Sequence, residues 1–170
     1  MDDLSRELDL ADQMVRTQFS SAKLWAIRSW PGPQALMHWD ADEGRFQVDH
    51  FTTEGRRVAS VFAATGQSSL RLVRRLSARS LMTQKVARYQ EAIVGEPDKR
   101  RDVTVTVEQS VVQFGVWDNS DNSRWLAGDF DGRALVVQTL DRDLPIPALD
   151  VVADIEPLLR GRRQHLDLLT

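Results

Sequence analysis

The chain contains no cysteine in its 170 residues, which excludes a disulfide framework and any thiolate metal site. Lysine is nearly absent as well: of 22 basic residues, 19 are arginine, a bias that points to a GC-rich genome more than to a function. No uninterrupted apolar stretch approaches the roughly 18 residues that span a bilayer, so a membrane partner is not expected. The N-terminal "MDDLSRELDLADQM" is acidic and amphipathic, the opposite of a signal peptide, and a cytoplasmic location is the expectation. A glycine-rich phosphate loop and a G-x-S-x-G elbow are both missing, so phosphate binding and serine hydrolysis lack their usual cues. The sequence assigns no catalytic residue, cofactor or metal.

What is present fits one α+β domain over residues 1–170. Apolar residues make up 42% and charged residues 28%, ordinary for a folded domain able to bury about two-thirds of its unfolded surface. Leu4, Leu8, Ala11, Val15, Phe19, Ala22 and Ala26 recur at spacings of three and four, predicting a first helix that cannot pass Pro31-Gly32-Pro33. "ALMHWD" and "RFQVDH" then alternate about Asp42-Glu43-Gly44, predicting a hairpin with Asp40 opposite Arg45. In that register Met37, Trp39, Phe46 and Val48 share one face. "RRVASVFAA" is apolar on both faces, as a strand covered on both sides would be.

Residues 68–94 are helical in period, but the apolar face jumps across Ser77-Ala78-Arg79-Ser80, which predicts either a kink or two helices joined there. Alternating Val103, Val105, Val107 and then Val112, Phe114, Val116 change phase near Glu108-Gln109-Ser110, the mark of a tight turn or bulge. "RWLAGDF-DG-RALVVQTL" is the strongest hairpin signal, with Asp131-Gly132 as a type I′ turn. Helical spacing returns from Ala148 to Arg160, interrupted by Pro157. The expected order is α-βββ-α-ββββ-α, with antiparallel sheet and with helices packed on one side.

Candidate sites are few. His38 and Asp40 alternate on one strand and His50 lies on its partner, but His50 faces away from His38, so a wet sheet face explains them better than a metal does. Asp118, Ser120, Asn122 and Asp129 mimic a calcium-loop spacing without its glycine or its bidentate glutamate, and read instead as a hairpin tip. Arg71, Arg74, Arg75 and Arg79, preceded by Arg56 and Arg57, form a basic strip. Residues 54–88 carry a net charge of +7 (eight basic, one acidic) and residues 118–156 carry −6 (three basic, nine acidic). Nucleic acid would use such a strip for phosphates, but the chain is acidic overall and lacks a base-stacking strand. A solvated face, or one docking on the acidic third of this chain or of a second copy, is the stronger expectation. Trp117 and Trp125 flank the tip with Asp118 and Asp121. A core position is the leading expectation for any single tryptophan, but partial exposure of these two would suit a protein-binding surface, and with the arginine strip these residues make the candidate partner surface.

The stretch "DGRALVVQTLDRDLPIPALDVVADIEPLL", Asp131 to Leu159, resembles the last strand, acidic-proline loop and closing helix of the type III secretion chaperones and the YbjN family. The order of elements along the whole chain is similar too, apart from an extra strand's worth of residues between Arg101 and Asp129. The resemblance implies a small acidic protein, often a homodimer, that holds an extended peptide and catalyses nothing. The leading expectation is therefore a non-enzymatic protein-binding module, chaperone-like or adaptor-like. Two alternatives stand beside it: an immunity-type inhibitor that presents the acidic surface from Asp118 to Asp143 to a toxin, and an enzyme whose carboxylates Asp40, Asp129 and Asp131 meet only in the fold.

Overall fold

The computed structural model describes residues 3–19, 23–40, 42–83, 101–118, 122–141 and 143–167, with 78–83 described by their backbone alone. The first half contains helix α1 (Asp3–Gln18), strands β1 (Trp25–Ile27), β2 (Gln34–Asp40), β3 (Arg45–Phe51) and β4 (Arg57–Ala64), and helix α2 (Ser69–Thr83). The second half contains β5 (Arg101–Val107), β6 (Ser110–Asp118), β7 (Arg124–Phe130), β8 (Arg133–Thr139), β9 (Leu149–Val151) and helix α3 (Glu156–Asp167). Among the described residues, nine strands join one sheet in the order β1-β9-β5-β6-β7-β8-β4-β3-β2. Every pairing is antiparallel except β5 with β9. The seam between the halves is β4 against β8, from Ala59↔Thr139 to Ala64↔Ala134.

The sheet curls. Trp25 on β1, at one end of the strand order, packs in one core with Val61 and Ala63 on β4 near the other end. The Ile27 N–H of β1 donates to Nε2 of His50 on β3, 3.0 Å away. Inside this curl lie Val105, Val107, Phe114, Val116, Leu126, Leu135, Val137 and Leu149, all nearly or fully buried.

Both predicted hairpins form, and the pairings that flank their turns are the expected ones. Phe130 pairs with Arg133 about Asp131 and Gly132, whose φ angles of 51° and 68° are the left-handed pair a type I′ turn needs. Leu126, Leu135, Val137 and Phe130 face the interior, and Trp125 and Ala127 face the other way. Asp40 pairs with Arg45, but a bulge between Leu36 and His38 shifts the register. Leu36, rather than Met37, therefore lies opposite Val48 and takes the buried position. The phase slip at Glu108-Gln109 is a tight turn closing Val107 against Ser110.

Four expectations are corrected. First, the helices do not share one side. Leu72, Val73 and Leu76 of α2 pack on Phe62 and Val136, whereas Val15 of α1 and Leu158 and Leu159 of α3 pack with Leu36, Phe46 and Val48. Val48 pairs with Val61 and Phe62 with Val136, and adjacent residues along a strand point to opposite faces, so α2 and the α1–α3 pair lie across the sheet from each other. Second, α1 runs Asp3–Gln18, and the helical spacing of Ala26 is coincidental, because Ala26 belongs to β1; Ala22 lies outside the described residues. Third, Leu149 likewise belongs to a strand, and α3 begins only at Glu156. Pro157 is thus in the first turn, where the missing N–H has no helical partner to lose, and does not interrupt the helix. Fourth, α2 runs without interruption from Ser69 through Ser77–Ser80 to Thr83. The rest of the predicted middle helix, 84–94, lies outside the described residues.

Helix α1 is held to α3 largely by charge. Asp12, only 1% exposed, accepts from Nε of Arg163 at 2.7 Å, and Arg163 also reaches Asp9. Arg16 and Glu156 form a second, exposed pair at 2.6 Å. Removing Arg163 would strand a buried carboxylate, which costs more than the loss of a surface pair. Arg163→Ala is expected to lower stability by about 2 kcal/mol, discounted because Arg163 is itself partly in water and Arg162 lies nearby. Arg16→Ala is expected to cost well under 1 kcal/mol. Urea denaturation of the two variants checks the ranking, and equal midpoints would contradict it.

Candidate functional site

An antiparallel sheet presents unpaired N–H and C=O groups only at its edges, so the edges are where a partner segment can add. β1 is three residues long, and its Ile27 amide is already taken by His50. β2 is an edge strand carrying the bulge at Met37, with α3 pressed against it: a Cβ on Gly161 would come within 1.9 Å of the Gln34 carbonyl oxygen. A groove of about 200 Å³ runs between α1 and this strand, lined by Val15, Leu36, Met37, Trp39 and Arg162.

β5 is different. It pairs with β6 without a bulge from Arg101↔Val116 to Val107↔Ser110. On its other side only its end is used: Val107 bridges to Leu149, and the Glu108 N–H donates to the Leu149 carbonyl at 2.7 Å. Among the described residues, no strand pairs with 103–105 on that outer side. The two-residue turn makes Val107 and Ser110 a hydrogen-bonded pair, so alternation directs the N–H and C=O groups of Asp102, Thr104 and Thr106 outward. Val105 and Val107 are buried in the core, with Val103 packed against it, while Thr104 is exposed. The edge therefore has a dry face, a wet face and no proline, lysine or bulge to protect it. Composition alone hinted at this, since Val-Thr-Val-Thr-Val is β-branched throughout, but only the sheet order shows which strand is at an edge.

The residues singled out from sequence do not assemble into one surface. Trp117 and Trp125 face each other across β6 and β7 and are 2% and 3% exposed beneath α2, so the partial exposure that would suit a partner surface is corrected. Asp118 pairs with Arg124 at 2.8 Å and Arg101 at 3.3 Å. Partial burial works to raise its pKa, but the hydrogen bond and charge of Arg124, aided by Arg101, hold it below the usual carboxylate range. Asp121 lies outside the described residues. Arg71 and Arg74 are exposed on α2, and Arg75 binds Gln67 at 3.2 Å and approaches Glu43 at 3.9 Å. Arg79 lies further along α2, its side chain outside the described atoms.

The acidic third instead meets cations from elsewhere: Lys23 holds Asp131, Arg28 holds Asp150 and Arg16 holds Glu156. In each case the hydrogen bond from the cation is the main cause of a lowered carboxylate pKa. Asp129 accepts from the backbone N–H and the hydroxyl of Ser69 at 2.9 and 3.0 Å, capping α2 where its first amides lack helical partners. Asp40 accepts the amides of Asp42 and Glu43 in its own turn. His38 meets Arg45 at 3.1 Å on the face opposite His50. Each carboxylate thus has a structural task. Among the described residues no group of three or more histidines and carboxylates could hold a metal.

Sequence reasoning missed one buried polar row. Ser60 donates to Asp49 at 2.6 Å, Gln47 donates to the same oxygen at 2.9 Å, and Arg57 donates to Ser60. These hydrogen bonds satisfy polar groups inside the sheet and involve no histidine.

The class defined by this geometry is an α+β protein built on a curled, mixed but mostly antiparallel nine-stranded sheet. Comparison with known proteins finds no family model, no curated protein and no solved structure that matches the chain. Among the described residues, no helix is long and apolar enough to cross a membrane.

Proposed function

We propose that this chain is a non-enzymatic protein-binding module, chaperone-like or adaptor-like, that takes an extended segment of its partner as an added strand along β5. The observation that carries this reading is that, among the described residues, no strand pairs with 103–105 on the outer side of β5. Main-chain hydrogen bonds to Thr104 and to the N–H of Thr106 supply affinity, and the alternation of Val103 and Val105 against Thr104 selects a partner strand with one apolar face. The likeness of the closing strand, loop and helix to the type III secretion chaperones and the YbjN family supports the same class. The inhibitor reading is weaker, because Asp118, Asp131, Asp150 and Glu156 already hold arginines or a lysine.

The test joins affinity purification from the native cell to hydrogen exchange on the recovered complex. Slowed exchange at the amides of 104 and 106 is expected, with Thr104→Pro weakening capture at least roughly tenfold. That proline removes an outward N–H and leaves the β6 ladder intact, so the fold should persist by circular dichroism. A stoichiometric partner that leaves those two amides unprotected would sink the proposal.

A further inference from the structure

A cleft of about 300 Å³ lies far along the sheet order from β5, where the β1–β2 connection, the β3–β4 turn and the segment after β8 meet. Trp30, Pro31, Phe51, Val58 and Leu144 make it mainly apolar, and Arg56 and Asp141 are its charged groups. The walls are fixed by bonds already made. Trp30 donates its indole N–H to the Phe51 carbonyl at 2.9 Å, and the Phe51 N–H donates to the Pro33 carbonyl at 2.9 Å. Gly32 lies so close to that Phe51 carbonyl that a Cβ would come within 2.1 Å of its oxygen. The turn is closed by Thr52 N–H to Arg56 carbonyl at 2.8 Å, and the Leu140 N–H ties to the Val58 carbonyl at 2.9 Å. A cavity of this volume, preformed and apolar with few polar groups, has the character of a small-molecule site.

The polar groups narrow the chemistry. Thr52 and Thr53 hydrogen-bond the Glu54 carboxylate, which with its own backbone bond lowers the Glu54 pKa, so these hydroxyls are engaged. Asp141 accepts the Asp143 N–H at 2.9 Å. The Arg56 guanidinium is exposed and, among the described residues, is the one cation on the lining. A guanidinium recognises a carboxylate through a planar fork of donors, and Asp141 on the same lining disfavours a second negative charge. The aromatic and proline surfaces fit a flat apolar body.

We infer that this cleft binds a small monocarboxylate with a planar apolar body, seated among Trp30, Pro31 and Phe51 with its carboxylate on Arg56. Phenylacetate is the probe, read by the Trp30 indole ¹H–¹⁵N signal, which Trp30→Phe identifies among the five tryptophans. Saturable movement of that signal with a dissociation constant of about 1 mM or tighter is expected for so small a ligand. Arg56→Ala, whose backbone bonds to Thr52 remain, should weaken binding at least roughly fivefold with an otherwise unchanged spectrum. Phenethylamine, equal in shape but cationic, should bind more weakly than phenylacetate. An unmoved Trp30 signal overturns the inference, as does undiminished binding by Arg56→Ala or preference for the amine. Thr104→Pro leaves this cleft untouched, so its failure and that of the β5 proposal are separable.

Discussion

Gly128→Ala is expected to destabilise this protein by about 2 kcal/mol, and Gly128→Val to prevent folding. Gly128 on β7 lies opposite Leu135 on β8, and the space above it is filled by the ring of Phe114 from β6. A Cβ at 128 would come within 2.3 Å of Phe114 Cδ1 and 2.4 Å of Cε1. That ring is fully buried among Val105, Val116, Leu126 and Leu135, and cannot retreat without displacing them. The arrangement is a complementary pair, so shrinking the ring should restore room for the methyl group. Phe114→Leu alone opens a small cavity and costs roughly 1–2 kcal/mol, but combined with Gly128→Ala it should cost less than the sum. Urea midpoints at constant m-value measure all three variants. Additive losses, or a Gly128→Ala protein within about 0.5 kcal/mol of the parent, would show that the ring has freedom the packing denies it.

Acid should weaken the fold well before its carboxylates protonate. His50 is fully buried, with Trp30 edge-on at 5.2 Å and the Ile27 amide on Nε2, so the proton of the neutral ring belongs on Nδ1. Nδ1 has the Val48 backbone for support but forms no well-shaped hydrogen bond. Burial pushes the pKa down from 6.5 to about 4, and Val48 opposes that only partly. The unfolded chain thus binds a proton near pH 6.5 that the folded chain refuses until about pH 4. Stability is fully present above pH 6.5, falls as the pH drops through that window, and stops falling from this cause below about 4. The whole loss amounts to about 3 kcal/mol.

The ion-paired carboxylates Asp118, Asp131, Asp150 and Glu156 have lowered pKa values, so their contribution is lost at still lower pH. His50→Gln keeps an acceptor near Ile27 and removes the titration. Its stability should be nearly flat between pH 6.5 and 4, whatever its absolute value. A parent protein equally flat over that range would disprove the assignment. Because His50 holds β1 against β3, hydrogen exchange at Ile27 should also quicken in mildly acidic buffer.

Much of the fold was legible along the chain where the signal is local. The Asp131-Gly132 turn carried its own conformational demand, and the alternation about it placed Leu126, Leu135 and Val137 on one face before any tertiary information. The Asp40–Arg45 register followed from the turn length, but the bulge at Met37 did not, since a bulge satisfies packing between Leu36 and Val48 rather than any local preference. The helical spacing of Ala26 and Leu149 misled for a related reason. Each belongs to a three-residue strand that pairs with the other, more than a hundred residues away in sequence, and no window along the chain contains both. Trp117 and Trp125 looked like an exposed pair because they flank a polar tip, yet α2 covers them.

The candidate sites divide the same way. The sequence by itself determined the class of elements, the positions of the tight turns and the absence of thiol chemistry, because these depend on residue type and short spacing. It also contained the Val-Thr-Val-Thr-Val strand, without saying whether that strand lay inside the sheet or at an edge. Strand order decided that: β9 meets β5 only at Val107, so no strand pairs with the outer side of 103–105 among the described residues. Tertiary structure also decided that α2 and the α1–α3 pair take opposite faces, that Asp129 caps a helix, and that Trp30, Phe51 and Arg56 line one cleft. Each of these depends on which distant surfaces bury each other, a free energy of the whole chain that no local pattern encodes.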